Sequence, residues 1–292
     1  MLARSMSRTI SIVGAGRVGK TLAKRLRQLG WRIGAVVTRS KATARAAVLA
    51  VGAGDAHATL TSDVFDAGII LICTPDDALS SVAKSLAQIG GATCRGKIML
   101  HTSGTLDRRI LAPLARLGAS TGSLHPMQTF SGRGIPNLKN VTFAVEGDRR
   151  ALMVARQITK ALDGVPISIN GKDKPAYHAT AVLVCGSEFA LMEAAIRILT
   201  RIGFTRRRAL QTLLPLTRQM LDNIQRLGPR AAWTGPMSRG DYAIIAKHAK
   251  ALRKYPREYL NAYAALAQLA GRVLSKNSPA AIKQLKRALS NG

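Results

Sequence analysis

The sequence predicts an α/β protein with a doubly wound, mostly parallel sheet at the amino terminus and a mainly α-helical carboxyl-terminal half. Three observations carry that class. A β-prone run, Thr9–Val13, leads straight into the glycine turn Gly14-Ala15-Gly16-Arg17-Val18-Gly19. Short apolar runs closed by polar clusters then recur as far as Asp148, the pattern of parallel strands buried on both faces. Beyond Asp148, long alanine- and leucine-rich segments with helical period replace them.

After the glycine turn, Val18, Leu22, Leu26 and Leu29 recur at helical spacing up to Gly30, so the opening unit reads strand, turn, helix. Apolar runs at 33–37, 68–73 and 97–101 supply further strands, and those at 121–124 and 141–145 extend the sheet. Helices are expected over 149–162, 175–202, 205–227, 241–251, 256–274 and 279–289, with 165–169 as one more strand at the junction. Residues 137–139 and 164–174 read as hinge or connector. The resulting division is a nucleotide-binding domain over 1–148 and a helical substrate and dimerisation domain over 149–292. Residues 1–8 form a short basic tail ahead of the first strand. The most apolar stretch, 177–202, is interrupted by Glu188, Glu193 and Arg197, so it reads as a buried helix and not a membrane span.

Lys and Arg number 44 against 15 Asp and Glu, a formal charge of +29. Such a field attracts phosphates, nucleic acid or anionic lipid without bearing on the fold. The cations are spread along the whole chain, and aromatics, at 4% of residues, are too sparse to interleave with them as a base-stacking platform. Nucleic acid is therefore not the expected main partner. Cys73, Cys94 and Cys185 are far apart and odd in number, with no CxxC pattern. That usage fits reduced core thiols in a cytoplasmic protein and offers no metal site.

A Gly-x-Gly-x-x-Gly turn is a weak signal alone, but between a strand and a helix it is the dinucleotide fingerprint of a Rossmann domain. Gly14 permits the tight turn, Gly16 lets a pyrophosphate approach the backbone, and Gly19 lets the helix close on the strand. Arg17 and Val18 open that helix, whose unpaired N–H groups and positive dipole end favour phosphate. NAD-binding domains place an acid at the end of the second strand. Here the first acid in the chain is Asp55, and Thr38-Arg39-Ser40-Lys41 follow the run 33–37 instead. A guanidinium with two hydroxyls suits a 2′-phosphate, so the expected cofactor is NADP. Thr74-Pro75 and Thr102-Ser103 close the next two strands at the edge where open α/β sheets bind ligands, and join the expected cofactor contacts.

The chain carries, in order, the glycine fingerprint, Cys73-Thr74-Pro75-Asp76, His101-Thr102-Ser103-Gly104, Ser123-Leu124-His125-Pro126-Met127-Gln128-Thr129-Phe130, Tyr177-His178-Ala179 and Gly235-Pro236-Met237-Ser238-Arg239-Gly240-Asp241. With these it resembles, over nearly its whole length, the Rossmann-like proteins with a DUF2520 carboxyl-terminal domain. That family is classed with NADP-dependent oxidoreductases and is distantly similar to ketopantoate reductase, pyrroline-5-carboxylate reductase and the 6-phosphogluconate dehydrogenase group. The resemblance implies a helical second domain that often dimerises and a site in the cleft between the domains. It implies no particular substrate. One position departs from the family pattern: relatives carry an Asn on the long helix where this chain has Gly186.

Hydride transfer asks a protein for orientation, a proton donor and a grip on the substrate. Lys174 and His178 are four apart at a helix start and share a face. Lys174 could protonate or polarise a carbonyl, and His178 could relay a proton near neutral pH. His125, in the turn after a strand, is the third catalytic candidate. Arg239 is placed to hold a substrate carboxylate, with Asp241 as a helix cap, and the two fit equally well as an ion pair with each other. The leading reading is an NADP(H)-dependent oxidoreductase acting on a small, anionic carbonyl, imine or hydroxyl compound, as a cytoplasmic homodimer joined through the helical domain. Two others stay open: a non-catalytic NADP-binding sensor or scaffold, which Gly186 favours, and a nucleic-acid binder drawing on the charge.

Overall fold

The computed structural model describes residues 8–291, so all of the basic tail but Arg8 lies outside the described residues. The chain forms two compact units, Met1–Gly186 and Ser187–Gly292. The first runs β1 (Thr9–Val13), α1 (Arg17–Gln28), β2 (Arg32–Val37), α2 (Lys41–Val51), β3 (Asp55–His57), β4 (Ile69–Ile72), α3 (Asp76–Gly90), β5 (Ile98–His101), α4 (Ala112–Arg116), β6 (Ser120–Pro126), β7 (Thr142–Gly147), α5 (Arg149–Ala161), β8 (Val165–Ser168) and α6 (Lys174–Ala181). Its strands make one sheet in the order β3-β2-β1-β4-β5-β6-β7-β8. β1 to β6 pair in parallel, β7 runs antiparallel to β6, and β8 is parallel to β7. The order reverses where β1 meets β4, the switch point of a Rossmann sheet.

Strands in this sheet are legible because both faces are covered, and β4 and β5 are buried at every position. Side chains alternate: Leu71 and Leu100 pack with Leu22 and Leu26 of α1 and Val154 and Ile158 of α5. Ile70, Ile72 and Met99 point the other way, toward Leu79 and Leu86 of α3 and Leu114 of α4. β3 was not foreseeable, since Asp55-Ala56-His57 is too short and too polar to show a pattern.

The boundary expected after Asp148 falls inside the first unit. Asp148 caps α5 by accepting from Arg150 N and Ala151 N, and its other oxygen accepts from Thr121 N of β6 at 2.6 Å. That buckle holds α5 against the sheet, and β8 then adds the last strand. The segment 164–174, expected as a connector, thus contains β8 and the first residue of α6.

The second unit is helical as expected, with α7 (Ser187–Arg201), α8 (Arg206–Leu227), α9 (Pro229–Ala232), α10 (Pro236–Arg239), α11 (Tyr242–Leu252), α12 (Arg257–Val273) and α13 (Ser278–Asn291). Thr205 caps α8 and Asp241 caps α11, and a small core gathers around Ile245, Leu285 and Ala288. The stretch 177–202 is neither one α-helix nor buried. Residues Val182–Gly186 take a π-helical turn between α6 and α7. Val184 is 68% exposed and Phe189 71%, since none of the described residues covers these apolar side chains. Cys185, in the same turn, is exposed and not a core thiol, whereas Cys94 is buried. No described helix is long and apolar enough to cross a membrane. The described residues contain no group of metal-ligating side chains.

Candidate functional site

The chain turns so sharply after β1 that Gly14 takes φ +91°, and a Cβ there would lie 2.7 Å from Thr74 N. A Cβ at Gly19 would lie 2.5 Å from Gly14 O, so α1 rests directly on the turn. Gly16 differs, since a Cβ there meets nothing within 4 Å. The space beside the first turn of α1 is open, and no side chain caps its N–H groups. On the adjacent strand end, the hydroxyl of Thr74 is buried without a hydrogen-bond partner. An open glycine, an uncapped helix start and an unpaired hydroxyl fit a dinucleotide pyrophosphate. Val18 has only its N–H to offer, since its side chain packs on the core.

Beyond β2 the Thr38 hydroxyl donates to Ser40 O at 2.9 Å, and Ser40 Oγ accepts from Thr43 N at 3.2 Å as the cap of α2. Both hydroxyls are engaged locally, which leaves the exposed Arg39 as the free group. Pro75 stands at the start of α3. Burial pushes the Cys73 thiol up to about 12, with Thr102 donating a hydrogen bond to it. Ser103 is a correction to the expected cofactor contacts. Its hydroxyl donates to Asp76 Oδ2 at 2.8 Å and accepts from Thr105 N and Leu106 N, which leaves nothing for a ribose.

Sequence reasoning gave no role to Arg25. It donates to Pro136 O and Ile135 O, both at 3.1 Å, while Arg17 donates to Phe130 O at 3.3 Å. These bonds pin residues 130–136 along α1 around a cavity of about 210 Å³ lined by Arg17, Lys20, Lys24 and Phe130.

The three expected catalytic residues come together in this same unit. Lys174 opens α6 fully buried, and its Nζ donates to Ser103 O and Ser123 Oγ, each at 2.9 Å. Burial lowers its pKa to about 8, against the pull of Glu146, Asp107 and Asp76. One turn on, the His178 ring centroid lies 5.5 Å from that of His125. His125 Nδ1 is 3.2 Å from the Tyr177 hydroxyl. Burial holds that phenol up at about 12, although Ala144 N–H donates to it, so Tyr177 keeps its proton and shares a hydrogen bond with Nδ1 whose direction follows the His125 tautomer. Burial first, then Lys174 and His178, push His125 down to about 4. The ring is therefore neutral at pH 7. Gly104 makes room for both rings, since a Cβ there would lie 2.3 Å from His178 Cδ2 and 2.8 Å from His125 Nε2.

Behind them His101 is wholly buried and pushed down to about 3, chiefly by burial. Its Nδ1 accepts from Ser103 N and its Nε2 has no partner. Sequence reasoning assigned no role to Tyr177, His101, Ser123 or Gly104, whose signal was their place inside the quoted motifs. Arg239 stands at the end of α10 in the other unit, exposed. Asp241 is engaged as the α11 cap and the two do not pair.

Residues 3–126 match the Rossmann-like domain family, and residues 141–270 match the family described as a domain of unknown function, DUF2520. No curated protein matches the sequence. Among solved structures, BF3122 of Bacteroides fragilis, described as a "putative NADP oxidoreductase", aligns with TM-score 0.74 and 22% identity over 94% of this chain and 98% of its own. Protein TM1727 of Thermotoga maritima aligns with TM-score 0.64 and 24% identity, over 96% and 98% of the two chains. The Aspergillus terreus reductive aminase, solved with NADPH and ethyl-5-oxohexanoate, gives TM-score 0.68 and 18% identity over 96% and 99%. Likenesses at these identities establish a shared fold. With both domain families matched in order along the chain, this protein belongs to those that join a Rossmann-like domain to a DUF2520 domain.

Proposed function

We propose that the chain is an NADP(H)-dependent oxidoreductase moving a hydride to or from a small, anionic carbonyl, imine or hydroxyl compound. The observation that carries this reading is the placement of the His125 ring, beside the Tyr177 hydroxyl and the His178 ring, at the strand edge that also forms the glycine cradle. Fold relatives described as an NADP oxidoreductase, a reductive aminase and an imine reductase lend it support. NADP(H), when bound, supplies the hydride. The Gly16 backbone, the Arg17 and Val18 N–H groups and the Thr74 hydroxyl would hold the pyrophosphate, Arg39 the 2′-phosphate, and Thr102 would lie on the sugar side. With Tyr177 donating to Nδ1, His125 Nε2–H would polarise the reacting oxygen or nitrogen through a hydrogen bond while keeping its own proton, and His178 would relay a proton from solvent to that atom as the hydride arrives, or back to solvent in the reverse direction. Lys174 ties the turn after β5 to β6 and so fixes the frame in which both rings sit.

Calorimetry tests the cofactor assignment: NADPH binds at least about tenfold tighter than NADH, roughly 1.4 kcal/mol, and Arg39→Ala erases the difference. Equal affinities for the two cofactors defeat the assignment of Arg39. A screen of small oxo acids, imines and hydroxy acids for NADPH turnover tests catalysis. Gly186 favours a second reading, a non-catalytic NADP-binding sensor or scaffold, because this position in the π turn offers no side chain to a substrate. Tight binding without any turnover selects that reading. The proposed homodimer joins through the helical unit, where Leu216, Met220, Ile224 and Leu227 leave an apolar stripe on α8. The proposed location is the cytoplasm, where three free thiols are stable.

A further inference from the structure

The helical unit has a cleft of its own, of about 580 Å³, bounded by α9, α10, the start of α11 and the turn that leads into α13. That size lies within the usual range of small-molecule pockets, about 300–1,000 Å³. Arg230, Arg239 and Lys276 line it with Trp233 and Tyr242, and no Asp or Glu does. The nearest carboxylate in sequence, Asp241, is committed to Ile244 N. None of the three cations makes an ion pair or a side-chain hydrogen bond among the described residues, and all three are exposed. Three cations with one neighbouring carboxylate leave the cleft with an excess of positive charge, and an anion seated among them relieves that. Two guanidiniums offer forks that match a carboxylate or phosphate in two-point contact. Two aromatic rings add flat apolar surface.

We propose that this cleft binds a small organic anion: a flat ring bearing one carboxylate or phosphate, the anionic group between Arg230, Arg239 and Lys276 and the ring against Trp233 and Tyr242. The proposal does not rest on the oxidoreductase reading, and its test uses no NADP(H). Trp31 and Trp233 are the chain's two tryptophans, so a ligand in the cleft reports through Trp233. The full-length protein is titrated with benzoate, phenyl phosphate and inorganic phosphate while tryptophan emission is followed.

Saturable change with at least one aromatic anion is expected, with the tighter of the two naming the headgroup and inorganic phosphate at least tenfold weaker. The change is lost in Trp233→Phe and weakened at least tenfold in Arg239→Gln and in Arg230→Gln. Lys139→Gln, which removes the same charge from an exposed site in the first unit, leaves it intact. A response that survives Trp233→Phe, equal weakening by Lys139→Gln, or no saturation with either aromatic probe at millimolar concentration overturns the proposal.

Discussion

At Thr74 a buried hydroxyl has no partner inside the fold, and a group left so costs about 1–3 kcal/mol. Thr74→Val is therefore expected to leave the denaturation midpoint unchanged or higher. It weakens NADPH binding about tenfold if the hydroxyl meets the cofactor, which calorimetry reads directly. Tyr177 makes a second prediction at this scale. In the proposed mechanism Tyr177 donates to His125 Nδ1 and so keeps the ring proton on Nε2; Tyr177→Phe is then expected to lower turnover of any substrate found by about 10²-fold with cofactor affinity unchanged. An unchanged rate would mean that the tautomer does not matter. Some of this was legible and some was not. The four-residue spacing of Lys174 and His178 put them on one face of α6 in advance. The Tyr177–His125 bond joins residues 52 apart in sequence, across a strand and a helix, and no local pattern encodes such a meeting. Ser103 misled for a related reason, because its hydroxyl reads the same in sequence whether it faces a ligand or its own turn.

Elements make the sharper contrast in the glycine turn. Gly19→Val would drive a side chain into Gly14 O, 2.5 Å from the Cβ position, and is expected to lower stability by about 2 kcal/mol or more. Gly16→Ala meets no protein atom, so its thermal midpoint stays near that of the parent while NADPH affinity falls at least about tenfold. Loss of stability without loss of binding at Gly16 would contradict the assignment of the open space to pyrophosphate. The turn, β1, β2, β4 and β5 could be read from sequence because burial on both faces leaves uninterrupted apolar runs. The helices of the second unit were legible from the helical period of their alanine- and leucine-rich segments, with Asp241 as the one cap read in advance. The π turn at Val182–Gly186 was not, because its residues are as apolar as those of a buried helix. On α8 the same exposure recurs at Leu216 and Met220. The dimer proposed through this face predicts that the parent sediments as a dimer and a Leu216→Glu, Met220→Lys variant as a monomer; a monomeric parent would remove it.

For the molecule as a whole, two buried imidazoles couple stability to pH. His101 and His125 have folded values of about 3 and about 4 against an ordinary 6.5. Between pH 6.5 and 4 the unfolded chain binds protons that the folded chain refuses, so stability holds above pH 6.5 and falls as pH drops through that window. His125 alone accounts for roughly 3 kcal/mol across it. Urea midpoints at pH 7 and pH 5 measure the slope, and His125→Asn flattens it; an unchanged slope in that variant would remove His125 from the account.

Asp148, which holds α5 to β6 through Thr121 N, divides the chain in order of synthesis. The proposed cradle, from Gly14 to Thr74, and His125 precede it, while Lys174, Tyr177 and His178 follow it. The cluster around His125 is therefore complete only once the segment beyond α5 has been made.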